Sequence, residues 1–196
     1  MKKPPSLLSW VLVFGAGFLA GIVFSAWKLE SLEKAARPSS EERQIAAKGN
    51  VQGRITDLEK AVAANPESLR DLILLGNEYF DTGRHEKAVE TYQKALRLDP
   101  RNADVVTDMG VSYRKLGQPE GAVAAFRRAL EIDPNHIIAL FNLGIVYRDD
   151  LKNPEEALKA WEAFLQKAPD APHAVMVRPW VNQLQQKLRS GGSEGK

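Results

Sequence analysis

The chain of 196 residues contains no cysteine and only three histidines. Without thiols, neither disulfides nor lipid attachment through a lipobox cysteine is possible, and the redox compartment stays open. His85, His136 and His173 lie far apart, each near an expected turn and none with a partner at metal-ligand spacing. They read as exposed loop residues. There is no glycine-rich phosphate loop. The adjacent acids Glu41-Glu42, Asp149-Asp150 and Glu155-Glu156 point to different sides of a helix or into loops, which suits solvated residues better than an acid/base pair or a metal cage. No catalytic constellation remains. The chain is expected not to be an enzyme in its own right and to need no cofactor or metal.

An excess of either charge is also missing. Lys and Arg number 27 against 25 Asp and Glu, a net charge of +2. Lys2, Lys3, Lys28 and Lys34, set against Glu30 and Glu33, already account for that +2, so everything from Arg37 onward sums to zero. Such a surface has no general attraction for nucleic acid.

What is present is a period. Pro66, Pro100, Pro134 and Pro169 stand 34, 34 and 35 residues apart. Between them Leu72, Leu75, Gly76 and Tyr79, then Ala88, Tyr92 and Ala95, return as Val106, Met109, Gly110 and Tyr113, then Ala122, Phe126 and Ala129. A third copy reads Leu140, Leu143, Gly144 and Tyr147, then Ala157, Trp161 and Phe164. The first set in each copy is spaced i, i+3, i+4, i+7, one face of a helix. A glycine inside a helix costs about 1 kcal/mol against alanine, so its recurrence predicts close approach of a second helix, with Ala88, Ala122 and Ala157 as its small residues. The tyrosines then fill the wider end of each hairpin. Gly83 and Gly117 are expected in the left-handed conformation after a first helix. The third copy carries one extra residue over 148–153, and Asn153 stands where the glycine would be. Pro119 and Pro154 fit the first turn of a second helix. Asp99 and Asp133 fit turn residues, and Phe164, in place of a small residue, predicts altered packing at the third exit.

This pattern resembles the tetratricopeptide repeat family over roughly residues 52 to 169. The resemblance implies an all-α right-handed superhelical solenoid with units at 69–102, 103–136 and 137–171. Ile55, Leu58, Ala61 and Val62 match only a second helix, which gives a half-repeat at 51–68. Val177, Val181, Leu184 and Leu188, with Trp180 beside them, predict a capping helix within 172–189 that starts near Pro179. Residues 190–196 are expected to be a disordered tail.

Ahead of the repeats, Leu7 to Ala26 carry no charge for 20 positions. That length crosses a hydrocarbon core of about 30 Å as a helix. Trp10, near its start, and Trp27, just after its end, stand 17 residues or roughly 26 Å apart at helical rise, which suits aromatic anchors at opposite interfaces. The division is therefore a basic tail at 1–6, a transmembrane helix at 7–27 and a juxtamembrane linker at 28–50. A cleaved signal would have a shorter apolar run and a small-x-small site, where Phe24 is too bulky, so the segment reads as a retained anchor. Lys2 and Lys3 nearly balance Lys28, Lys34 and Arg37 across it. A short basic leader before an apolar run behaves like an uncleaved signal, which puts the amino end inside and the repeats on the periplasmic face of an inner membrane in a Gram-negative cell. Gly17 and Gly21 form a G-x-x-x-G pair that could serve a homodimer.

In the family this sequence resembles, positions two, five, nine and twelve of each unit line a concave groove. Here these are Arg70, Ile73, Asn77 and Phe80, then Asp104, Thr107, Val111 and Arg114, then Ile138, Phe141, Ile145 and Arg148. Such a groove suits an extended or helical peptide whose apolar residues dock while an acidic group meets Arg114 or Arg148. Ile73, Phe141 and Ile145 fit solenoid core equally well. Asn77 matches one position of the carboxylate clamp of chaperone-binding members, whereas Ile73, Asp108, Ile138 and Asn142 do not match the others. The expectation is a membrane-anchored scaffold for a protein or peptide partner in a cell-envelope complex, similar in layout to the anchored repeat proteins of cytochrome c maturation. A self-assembling membrane module and a non-catalytic accessory subunit of a membrane enzyme are the alternatives.

Overall fold

A computed structural model describes residues 40–191, and side-chain surroundings for 49–190. The apolar segment 7–27 and the Gly17/Gly21 pair lie outside the described residues. Among those described, no helix is long and apolar enough to cross a membrane.

The described chain is all helical: α1 Ser40–Ala64, α2 Leu69–Asp81, α3 His85–Leu98, α4 Ala103–Lys115, α5 Pro119–Ile132, α6 Ile137–Ile145 widening into a π turn at Val146–Asp150, α7 Pro154–Lys167 and α8 Ala174–Gly191. Helices α2 to α7 form three hairpins, each packed on the next, and α8 closes the last. These bounds follow from local chemistry. Ser68, Asn102 and Asn153 accept the N–H of the third residue onward and so cap α2, α4 and α7; each such cap stabilises by about 1 kcal/mol. Pro119 and Pro154 open α5 and α7 as expected. Asp99 and Asp133 accept from the N–H of Arg101 and Asn135, tightening the turns before α4 and α6.

The periodic glycines are buried, but what faces them is aromatic. A Cβ on Gly76 would stand 2.5 Å from Tyr92 Cε1, and one on Gly110 2.7 Å from Phe126 Cε1. On Gly144 it would run into the indole of Trp161, closer still. Ala88, Ala122 and Ala157 are fully buried, yet none is the nearest neighbour of a glycine. The glycines make room for the large ring of the paired helix, not for its alanine. Hairpins are then stitched together by the repeat tyrosines. Tyr79 donates to Glu59 at 2.6 Å, Tyr113 accepts from Gln93 at 3.3 Å and Tyr147 accepts from Arg127 at 2.8 Å. In each case the partner lies 20 residues back, on the second helix of the preceding unit. Burial of the Tyr79 ring, then the bond to Glu59, pushes its hydroxyl up to about 12.

The half-repeat is a helix whose Ile55 is fully buried. Arg54 binds Glu78 at 2.8 and 3.1 Å and Gln52 accepts from Arg84 at 2.7 Å, fastening it to the first hairpin. Two expectations need correction. The left-handed residue of the third hairpin is Lys152 (φ 53°), with Asn153 one step later as the cap of α7, whereas Gly83 and Gly117 do take positive φ. The extra residue is wound into the π turn, where the Leu151 N–H reaches back to the Val146 carbonyl at 3.0 Å. Helix α8 begins at Ala174, with Pro179 inside it. That proline forfeits one bond, to the carbonyl of Val175, an exposed residue. The gain is burial of Val177, Val181 and Leu184 on α7. Phe164 is fully buried, its ring 5.9 Å from Phe141, so the third exit is packed by two aromatic rings.

Candidate functional site

The first helices α2, α4 and α6 carry the residues expected to face a groove. In α2, Arg70 is exposed, Ile73 is half-buried against the core, and Phe80 packs its ring on His85 at 5.3 Å. Asn77 accepts the Tyr92 hydroxyl at 2.8 Å, so its amide oxygen is engaged. In α4, Thr107 is buried and donates to the carbonyl of Ala103 at 2.8 Å, while Val111 is half-buried. In α6, Phe141 is buried between Phe164 and His173, whose ring lies 4.4 Å away, and Ile145 is half-buried. Apolar surface is offered instead by Leu74 and Ile138, at 40% and 41% exposure.

The two cationic positions come together, and the chain itself neutralises them. Arg114 of α4 binds Asp150 through Nε and has Asp149 within 3.9 Å. Arg148 grips Asp149 at 2.6 and 2.9 Å, and its guanidinium lies 4.1 Å from the Trp180 ring centroid and 4.9 Å from that of Trp161. The hydrogen bond from Arg148, with further help from Arg114, holds the Asp149 carboxyl below its usual range. Asp149 and Asp150, read from sequence as solvated, are the counter-ions of both arginines. The π turn makes this possible by bringing three consecutive charged residues to the end of α6.

The histidines are also more than loop residues. His136 caps α6: its Nδ1 accepts from the Ala139 N–H at 3.2 Å. In the neutral ring this leaves the proton on Nε2, which donates to Asp104 at 3.0 Å. His173 packs on Phe141. His85 opens α3 with its Nδ1 buried and unbonded.

Sequence reasoning weighed Asp108 only as a mismatch to a carboxylate clamp. It sits one turn after Asp104 on α4, at the offset that holds Leu74 in the first unit and Asn142 in the third. Burial pushes its carboxyl up to about 6 from 3.8, the nearby Asp104 and Asp81 add to this, and His136 works against it. Asn142 shows what an uncharged side chain does there: its amide donates to the Ile138 carbonyl at 3.0 Å. The legible signal was an acid where sister units carry an apolar or amide residue. A concavity of ≈ 720 Å³ lies elsewhere, between α1 and the first hairpin, lined by Val62, Leu72, Leu75 and Leu98 with Glu59 and Lys94 among the charged residues. Among the described residues no three acids or histidines are grouped to hold a metal ion.

The family described as TPR repeat matches residues 76–117 and 110–149, and the tetratricopeptide repeat family matches 138–171. The crystal structure of MamA shares the fold over 80% of this chain and 99% of its own, at 20% identity and a TM-score of 0.61. The first TPR of Spaghetti (RPAP3), bound to an HSP90 peptide, covers 62% of this chain and 93% of its own, at 24% identity and 0.56. The TPR2B domain of yeast Sti1, in a pHsp70 complex, covers 61% and 97%, at 22% and 0.56. No curated protein matches significantly. With glycine-to-ring hairpins, second-helix prolines and tyrosine stitches recurring at one period, residues 76–171 match tetratricopeptide-repeat models and share the helical-hairpin fold of the solved arrays.

Proposed function

We propose that this protein is a non-catalytic scaffold that docks a segment of another protein on the face of α2, α4 and α6. The carrying observation is that α2 and α6 each expose a large apolar side chain, Leu74 and Ile138. Spaghetti and Sti1, both captured with chaperone ligands, support the use of such an array for peptide docking. The Asn77 amide keeps its N–H donors, since Tyr92 engages only its oxygen, but Ile73, Asp108, Ile138 and Asn142 supply no cation to complete a carboxylate clamp.

The uncharged run from Leu7 to Ala26 supports the finer reading, in which the array is held at an inner membrane on its periplasmic face. Anchoring raises the local concentration of the array for partners confined to the same surface. Assembly or tethering of a cell-envelope complex follows, with handling of an apocytochrome segment as one specific form.

The test is affinity capture by the full chain from detergent-solubilised membranes, compared with a Leu74→Glu, Ile138→Glu variant that stays helical by circular dichroism. A partner captured by the first and lost by the second supports the reading. Capture profiles that do not differ would sink it, and recovery of the chain's own copies alone would favour the self-assembling module.

A further inference from the structure

We infer that the docking face between the first and second hairpins receives a lysine- or arginine-bearing segment with flanking apolar residues, not an acidic one. This rests on the reading of α2, α4 and α6 as the docking face. Three carboxylates gather there. Asp104 and Asp108 share one side of α4, four residues apart, and Asp81 at the end of α2 is near enough for its charge to be felt at Asp108. Among the described residues none of the three has a lysine or arginine within ion-pairing distance, although Arg54, bound to Glu78, feels the charge of Asp81. The one contact is the His136 ring on Asp104, whose side chain is still 90% exposed.

The cations that would answer these acids are engaged elsewhere. Arg114 and Arg148 are held by Asp149 and Asp150, so neither is available to an acidic ligand without breaking an internal pair. Arg70 and Lys115 are exposed, but the charges that act on Asp108 are those of Asp104, His136 and Asp81. A half-buried carboxylate with no partner is unfavourable in the free protein. An ammonium or guanidinium supplied from outside removes that penalty, and water loss on docking strengthens the pair. Leu74 lies on one side of the acids, at the same offset in the preceding unit, and Ile138 on the other, in the following one. A cation set between apolar side chains matches that order.

The experiment uses the full chain in a non-ionic detergent and two fluorescent peptides of one leucine framework, one carrying lysines and one glutamates at the same positions. Binding is read by anisotropy at constant ionic strength. The lysine peptide should bind roughly tenfold tighter or more, and Asp104→Asn with Asp108→Asn should abolish that preference while helicity is retained. Glu131→Gln, an exposed acid on α5, should leave it unchanged. Equal binding, tighter binding of the glutamate peptide, no binding of either peptide, or a preference that survives the double substitution would each overturn the inference. The Leu74→Glu, Ile138→Glu variant separates the two readings. If it weakens both peptides while the aspartates prove irrelevant, the docking face stands and its selectivity for cations falls. If neither variant alters binding, both fall.

Discussion

Replacing Asp108 by asparagine should make the array more stable at neutral pH. The carboxyl titrates at about 6 in the folded protein against 3.8 in its ordinary setting. Each unit is worth about 1.4 kcal/mol, so ionised Asp108 costs at most about 3 kcal/mol, and about 1–2 kcal/mol once water around a half-buried side chain is allowed for. Asparagine is nearly isosteric and removes the charge. It also has a partner ready, since Asn142 at the equivalent place binds the carbonyl four residues back. The sign follows from linkage. A folded pKa above the unfolded one means that the group's stabilisation is full below 3.8 and is lost as pH rises through about 6. The wild type therefore gains on the variant as pH falls, and most of the difference should be gone near pH 4. Other carboxylates, such as Asp149, which is held low, lose stabilisation on acidification, but they do so in both proteins. Urea denaturation followed by circular dichroism at pH 7.5 and pH 4 measures the difference. A variant less stable at pH 7.5, or a gain of the same size at both pH values, would refute the reasoning. An acid that weakens the fold where an amide would serve is what a binding face, not a structural one, retains.

Gly110→Ala drives a Cβ into the Phe126 ring and should cost about 1–3 kcal/mol in the same assay; an unchanged midpoint would contradict the packing described. Lys152→Gly should stabilise by about 1 kcal/mol, because Lys152 holds φ 53° and a side chain there is strained. Tyr147→Phe removes the bond from Arg127 and should cost about 1 kcal/mol, read as a lower denaturation midpoint.

The fold was legible wherever the signal was local and repeated. Gly76, Gly110 and Gly144, the boundary prolines and the opening prolines Pro119 and Pro154 announce their roles through spacing alone. Legibility failed where two rules competed for one residue. Pro179 reads as a helix start because proline is favoured there, but burial of Val177 drew the helix back to Ala174. Asn153 reads as the left-handed residue because asparagine tolerates that geometry, yet it also caps helices, and capping won. The site was the least legible part. The ion pair of Arg114 with Asp150 spans 36 residues and the bond of His136 to Asp104 spans 32, close to one repeat. Such contacts exist only after hairpins stack, so no single helix could reveal that the arginines were spoken for.

The widened turn at Val146–Asp150 has a bearing on how the third hairpin is joined to α8. Winding one additional residue into a helix swings everything beyond it by about 100°. Within that turn Arg148 reaches Asp149 and the Trp180 ring, whereas Arg114, at the same offset one hairpin earlier, reaches Asp150. Trp180 of α8 lies against that guanidinium, so the widened turn and the capping helix are fastened through one side chain. A change at Arg148 would therefore be felt at the turn and at the cap together.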